Sequence, residues 1–396
     1  MRVSKKYLAP AIVAIAGLAL AGCAPTEEAS PGADKAAVKV AIITSSTGPL
    51  AGYGAEYLQG FKAGLDYATD GTGEVDGRAL DITYVDDAGD SDKAVSAAKE
   101  AIGNGTQIIA GTVSSGIALA VAEQAAQNKI LYISGPAAAD AITGVNEYTF
   151  RSGRQTMQDV ATAGTFVGDL NGKNVLVFAQ DTAFGQGNVA GVTAVLGAKG
   201  ATVTGELVPE DATEFTPFAQ KIRDANPDMV FVAWAGATTG AMWQALSQQG
   251  IFDLVPVVTG LGDIASYGAY GEASEGISFL NHYFGGAAGT EIEKTMISYL
   301  DKNGEKADLF TPDGFVAAQM IVHAIKDGGG DDVQSMIDSL EGWSFDSVKG
   351  TITVRAGDHA LIQPMFQAKL KASGDTFVPE LIKVVDADTV APPAAK

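Results

Sequence analysis

Residues 38–68 read VKVAIITSSTGPLAGYGAEYLQGFKAGLDYA, and this stretch decides the fold. Val38 to Thr44 are mostly apolar and β-branched and end at turn residues, as a strand covered on both faces requires. Tyr57 to Ala68 repeat apolar residues three and four apart, the pattern of a one-faced helix. A strand that feeds a helix through a short polar loop is half of a crossover unit. The other halves follow. Strand-like runs recur at Leu80 to Val85, Gln107 to Ala110 and Ile130 to Ser134, with helical periods at Asp92 to Ile102 and Ile117 to Gln127 between them. Parallel strands need crossovers, so the alternation implies a parallel sheet with helices on both faces.

The rhythm restarts downstream. Strands are expected at Asn174 to Ala179, Thr202 to Val208, Met229 to Trp234 and Val255 to Thr259, with helices at Asn188 to Leu196, Phe215 to Asp224 and Gly240 to Gln249. A third block, with helices at Glu291 to Lys302, Phe315 to Lys326 and Val333 to Leu340 and strands at Gly350 to Val354 and Met365 to Lys371, lacks a strand set of its own and completes the other two. The fold class is therefore α/β, with two doubly wound, Rossmann-like lobes and several chain crossings between them. The expected division is 38–152 with about 284–345 in one lobe, 153–283 with about 346–388 in the other, and 389–396 as a flexible tail.

The amino terminus is of another kind. Arg2, Lys5 and Lys6 precede an apolar run of about 14 residues, shorter than the roughly 20 that span a bilayer, and the run ends at Leu20-Ala21-Gly22-Cys23. This reads as a signal peptide over 1–22. Cys23 is the only cysteine, so it has no disulfide partner in the chain. Ala24 to Ala37, rich in Pro, Ala and Glu, reads as a flexible tether over 23–37. Removing the three leader cations from a net charge of −21 leaves about −24 on the remainder, a poor surface for nucleic acid.

In open parallel sheets ligands sit beyond the carboxyl ends of strands, so the loops there are the candidate site. After the first strand comes Thr44-Ser45-Ser46-Thr47-Gly48-Pro49-Leu50-Ala51-Gly52-Tyr53-Gly54. It has neither the P-loop lysine nor G-x-G-x-x-G spacing, which removes nucleotide binding. Ser114 and Ser115 open the next helix, and Pro136, Ala137 and Ala138 follow the fourth strand. Free N–H groups and hydroxyls at those places suit a ligand carboxylate, although serines at helix starts also serve as caps. In the second half Phe184, Trp234 and Leu261 stand at strand ends, as an apolar ligand wall would.

The ordered segments AIITSSTGPLAGYG, ITYVDDAGDSDKAV, IIAGTVSSG, ILYISGPAAA, FRSGRQTMQ, VFAQDTAFGQG and PDMVFVAWAG resemble the branched-chain amino acid type of ABC-transporter solute-binding proteins. The resemblance implies a two-lobed clamshell with three crossings that closes on a solute and delivers it to an ABC permease and its ATPase. It also makes Leu-Ala-Gly-Cys23 similar to a lipobox, whose cysteine carries a lipid that anchors the chain to the outer face of a membrane. By the same likeness Ser114, Ser115 and the 136–139 loop hold a ligand carboxylate, and Tyr53 borders the ligand. Three positions depart from the pattern. Ala139 stands where a threonine hydroxyl is expected, Phe184 where a tyrosine lies beside the amine, and Leu261 where a glutamate pairs with the ammonium. Asp263, two residues on, is a substitute for that glutamate if the alignment slips. The expected ligand is accordingly a small carboxylate or amide with an apolar or aromatic body. An α-amino acid is the alternative, and a ligand sensor that reports to a membrane receptor uses the same clamshell. Arg154, beyond the Phe150 strand, is a candidate anion partner or an exposed arginine.

An enzyme is disfavoured. His282, His323 and His359 have no metal-ligand spacing, no G-x-S-x-G elbow exists, and the acidic pairs Asp86-Asp87 and Asp331-Asp332 read as solvated turn residues. No cofactor or metal is expected, and the chain is read as a monomer.

Overall fold

The computed structural model describes residues 36–374 and 376–395. The expected leader, the lipid-bearing Cys23 and the tether up to residue 35 lie outside the described residues.

Six strands form the first sheet: β1 (Val38–Thr44), β2 (Glu74–Val75), β3 (Arg78–Asp86), β4 (Ile108–Gly111), β5 (Leu131–Ser134) and β6 (Thr149–Arg151). Their order is β2-β3-β1-β4-β5-β6, parallel throughout except for the short β2–β3 pair. Successive side chains leave a strand on opposite faces. Val40 and Ile42 of β1 accordingly enter one core, while Ala41 and Ile43 enter another. That double covering is why the strand is apolar from Val40 to Ile43, with the exposed Lys39 near its start. Helices α1 (Ala51–Ala68), α2 (Ser91–Gly103) and α3 (Ser115–Asn128) connect these strands.

Helix α4 (Thr156–Ala163) leads into the second lobe. There β7 (Asn174–Gln180), α5 (Ala183–Val195), β8 (Thr202–Val208), α6 (Thr216–Ala225), β9 (Met229–Ala233), α7 (Thr239–Gln248), α8 (Ile251–Leu254), β10 (Val257–Gly260), α9 (Tyr267–Tyr270) and β11 (Ile277–Asn281) alternate. The chain then returns to the first lobe for α10 (Glu291–Lys302), α11 (Thr311–Gly328), α12 (Val333–Leu340) and a small antiparallel sheet of β12 (Ser344–Ser347), β13 (Gly350–Val354) and β14 (Leu361–Ile362). It crosses back for β15 (Met365–Ser373) and β16 (Thr376–Val385). The second sheet runs β16-β15-β11-β10-β9-β7-β8, with β15 and β16 antiparallel at its edge. The two-lobed α/β architecture with three crossings is thus present.

Two expected boundaries are corrected. The first lobe does not end at 345: Ile352, Val354 and Leu361 are buried in the same core as Val40, Ile133 and Ile325. The carboxyl-terminal segment is not free. Val390 is buried against Met365, Val385 and Ala161, and Arg355 donates from Nη1 to the Pro392 carbonyl (2.7 Å) and from Nη2 to that of Pro393 (3.2 Å). The Ala395 N–H donates to Asp358 Oδ2 at 2.8 Å. A proline- and alanine-rich composition gave no hint of these partners, because they bind its backbone.

Helices α1 and α11 approach closely at glycines. A Cβ on Gly60 would overlap the Thr311 carbonyl, and one on Gly314 would overlap that of Tyr57. This contact fixes α1, and with it the loop that carries Tyr53.

Candidate functional site

The carboxyl ends of both sheets face one cleft, which holds a cavity of about 260 Å³. That volume falls below the roughly 300–1,000 Å³ typical of drug-sized ligands and suits a small metabolite. Two backbone N–H groups donate across the cleft mouth. The Ala237 N–H donates to the Pro49 carbonyl at 3.1 Å, and the Ile264 N–H donates to Asp308 Oδ1 and Oδ2 at 3.1 and 3.0 Å. The lobes are therefore closed on each other.

The first-lobe wall is polar. Ser114 is the N-cap residue of α3, yet its side chain makes no capping bond, so the capping role weighed from the sequence is not the one it plays. Ser114, Ser115 and Gly116 at this helix start line the cavity, where the free N–H groups of a first turn and the helix dipole favour negative charge. Ser115, buried at 4 % exposure, accepts the Ala139 N–H at 3.1 Å and so ties α3 to the 136–139 loop. That loop is clamped from behind. Arg151 donates to the carbonyls of Ala137 and Ala139, Arg154 to that of Pro136, and Thr156 to that of Ala138. Full burial pushes the Arg151 guanidinium down to about 10. The strand-to-helix turn before Ser114 is strained: Thr112, a β-branched residue, has φ +70°. It is held there by Tyr132 OH, 2.5 Å from its Oγ1, and by its N–H bond to the Ile43 carbonyl.

The second-lobe wall carries a cluster of aromatic and aliphatic side chains beside the polar Gln180, Asn188 and Thr259. Trp234 stacks on Phe178 and meets Phe215 edge-on, both at 5.3 Å between centroids, and its Nε1 donates to Thr238. Phe184, Leu261 and Leu280 extend this wall.

Of the residues expected at the site, Tyr53, Ser114, Ser115, Pro136, Ala138, Phe184, Trp234 and Leu261 line the cavity. Ala137 does not; it is buried beneath the loop with Ala118 and Ile142. Asp263 does not either. Its Oδ1 accepts the Ser266 N–H in a cap, and its other oxygen faces Gly52 at the cleft mouth. Arg154 is not a surface arginine. It is 9 % exposed, lines the cavity, pairs with the buried Asp159 at 3.2 Å and lies over the Phe310 ring, 5.6 Å from its centroid.

Other expectations for the first loop also change. Asp87 is fully buried and accepts the Ser45 hydroxyl at 2.6 Å, while Asp86 accepts the Ser46 and Thr47 N–H groups and the Thr47 hydroxyl. Of the acidic pair read as solvated, Asp86 is exposed while Asp87 is buried, and both shape the loop: the Ser45 hydroxyl is turned inward and the exposed Thr47 hydroxyl is held by Asp86. The loop presents Pro49, Leu50 and Tyr53 to the cavity instead. Burial, with Asp263 next in effect, raises the Tyr53 phenol, which stays neutral.

Sequence reasoning missed Phe310, Asn281 and His282. Phe310 packs on the Tyr53 ring at 4.8 Å between centroids. Asn281 ends β11, a strand whose ISFLN pattern is legible in the sequence, and His282 follows it. Burial pushes His282 down to about 4, so it is neutral. Asn281 Oδ1 is buried without a partner among the described residues.

Comparison with known proteins agrees with this geometry. Residues 37–375 match the family described as periplasmic binding protein. Leu/Ile/Val-binding protein homolog 3 of Brucella melitensis is 25 % identical over 321 residues, which is 80 % of this chain and 86 % of that protein. The crystal structure of an ABC-type branched-chain amino acid transporter from Rhodopseudomonas palustris is 31 % identical, covers 90 % of this chain and 99 % of its own, and superposes with a TM-score of 0.76. An ABC-transporter solute-binding protein of R. palustris in complex with 4-hydroxybenzoate is 22 % identical, covers 89 % of this chain and 97 % of its own, and has a TM-score of 0.79, a likeness of fold alone.

Proposed function

The chain belongs to the periplasmic binding protein family, and from that premise we propose that it is the solute-binding component of an ABC importer whose cleft closes on a small carboxylate or amide with an apolar or aromatic body. The observation that carries the ligand class is the charge inventory of the cavity. Asp159 is tied to Arg154, Glu210 is exposed at the rim, and Leu261 is buried and apolar. The one unpaired carboxylate among the described lining residues, Glu210, is exposed, so an ammonium closed into the cavity away from that rim is left desolvated and unpaired, at a cost of about 3–5 kcal/mol. A carboxylate has the α3 amino terminus and the Ser114 hydroxyl. A thermal-shift and calorimetric panel of aliphatic acids, aromatic acids, their amides and α-amino acids tests the reading: binding confined to α-amino acids refutes it.

The branched-chain amino acid reading is the second, favoured by the 31 % identical branched-chain amino acid transporter structure and by relatives named for leucine, isoleucine and valine. We also propose a permease and ATPase as partners and a lipid anchor at Cys23. No helix of the described residues is long and apolar enough to cross a membrane. Cys23→Ser should move the protein from the membrane to the soluble fraction; retention on membranes refutes the anchor.

A further inference from the structure

The Arg154 guanidinium is committed at two of its three nitrogens. Nε donates to Asp159 Oδ2 at 3.2 Å and Nη1 to the Pro136 carbonyl at 2.9 Å. Nη2 makes no hydrogen bond among the described residues, although the side chain is buried and lines the cavity. Arginine presents five N–H donors in a planar fork and stays protonated, so a buried guanidinium with an unused edge is set to donate. Asp159, 6 % exposed, balances its charge, and the Phe310 ring beneath fixes its plane. Through Pro136 the guanidinium is coupled to the loop that Ser115 ties to α3. Two sets of donors thus belong to one wall: the first turn of α3 and the free edge of Arg154.

We propose that Arg154 determines specificity in this cleft, donating from Nη2 to a ligand carboxylate and selecting acids over the corresponding amides. The inference rests on the cleft being a solute site and deepens that reading. A carboxylate offers only acceptors to this wall and gains a charge-assisted bond at the guanidinium. A primary amide places an NH₂ group among donors and loses the charge. The selection needs no ammonium partner, so it applies equally to a simple acid and to an amino acid.

The test is calorimetry on the full chain with two matched pairs, benzoate with benzamide and leucine with leucinamide, in the wild type and in the Arg154→Gln and Asp159→Asn variants. Circular dichroism melts are recorded for each protein. Arg154→Gln should weaken the carboxylate member about 10- to 100-fold, the loss of one charge-assisted bond, and leave the amide within about threefold. Asp159→Asn releases the guanidinium from its internal partner and should raise the acid-to-amide ratio, a change that a merely structural pair would not cause. Equal loss of acid and amide on Arg154→Gln, together with an unchanged ratio in Asp159→Asn, would overturn the inference and leave Arg154 as a clamp on the Pro136 loop. If leucine binds and benzoate does not, the ammonium-free ligand class falls, while the leucine pair still decides the role of Arg154.

Discussion

Raising the pH from 5 to 7 should weaken solute binding about tenfold, because closing the cleft takes up a proton at Asp308. Asp308 lies in the loop before α11, accepts the Ile264 N–H from across the cleft and accepts its neighbour Leu309 N–H at 2.8 Å. In the closed form burial, with Asp263 adding, pushes its carboxyl from 3.8 up to about 6. Glu56 of α1, whose carboxylate accepts the Phe310 N–H at 3.0 Å, is raised too, by burial first and then by Asp308 and Asp263. Tyr53 and Tyr267 complete the patch and are neutral, both raised chiefly by burial. Opening should let water reach Asp308 and withdraw Asp263, both of which lower its pKa toward 3.8, while loss of the Ile264 N–H bond offsets part of that fall. The closed form therefore holds more protons than the open one. That contribution to closure is fully present below 3.8, declines above it and is lost as pH rises through about 6, and the part that falls between pH 5 and 7 gives about a tenfold change in affinity. Titration calorimetry at pH 5, 6 and 7, with a ligand fully ionised at all three, measures it. Asp308→Asn should flatten the profile. A constant wild-type affinity, or an unchanged slope in Asp308→Asn, would refute the coupling.

Two further predictions concern the wall and the tail. Trp234→Ala should weaken binding by about 2 kcal/mol, near 30-fold, as expected for a packed aromatic anchor, with the urea m-value unchanged; an unaltered affinity would make Trp234 plain core. Deleting residues 391–396 removes three hydrogen bonds that fasten the tail leaving β16 of the second lobe onto Arg355 and Asp358 of the first. The shortened protein should open more widely, seen as a larger radius of gyration by X-ray scattering without ligand, with affinity falling a fewfold at most; an unchanged radius would mean that the tail restrains nothing.

The alternation of strands and helices was legible because strands covered on both faces, such as Val38–Thr44, are apolar at successive positions, here Val40 to Ile43. The two lobes followed from that rhythm. What stayed hidden was tertiary. Nothing local marks Ile352 and Leu361 as belonging to the first core, since their strands are short and return there after a long excursion. Arg154 reads as a surface residue because its partner Asp159 lies on the following helix and its carbonyl acceptor on an earlier loop. The site was legible where a side chain stands at a strand end, as Ser114, Phe184 and Trp234 do. It was misread where the backbone turns a side chain away: Ala137 points under its loop, and Asp263 closes a cap. The first loop shows the same limit, since its Ser45 and Thr47 hydroxyls are taken up by Asp87 and Asp86.

The central claim is that this cleft closes on a solute without an ammonium group. The most direct measurement compares leucine with 4-methylpentanoate, the same skeleton without the amine, by calorimetry on the wild-type chain at one pH. The account predicts that 4-methylpentanoate binds more tightly by about 100-fold or more, the consequence of leaving a desolvated ammonium unpaired. Tighter binding of leucine, lost on Asp263→Ala, would contradict it and place an acidic amine partner at the cleft after all.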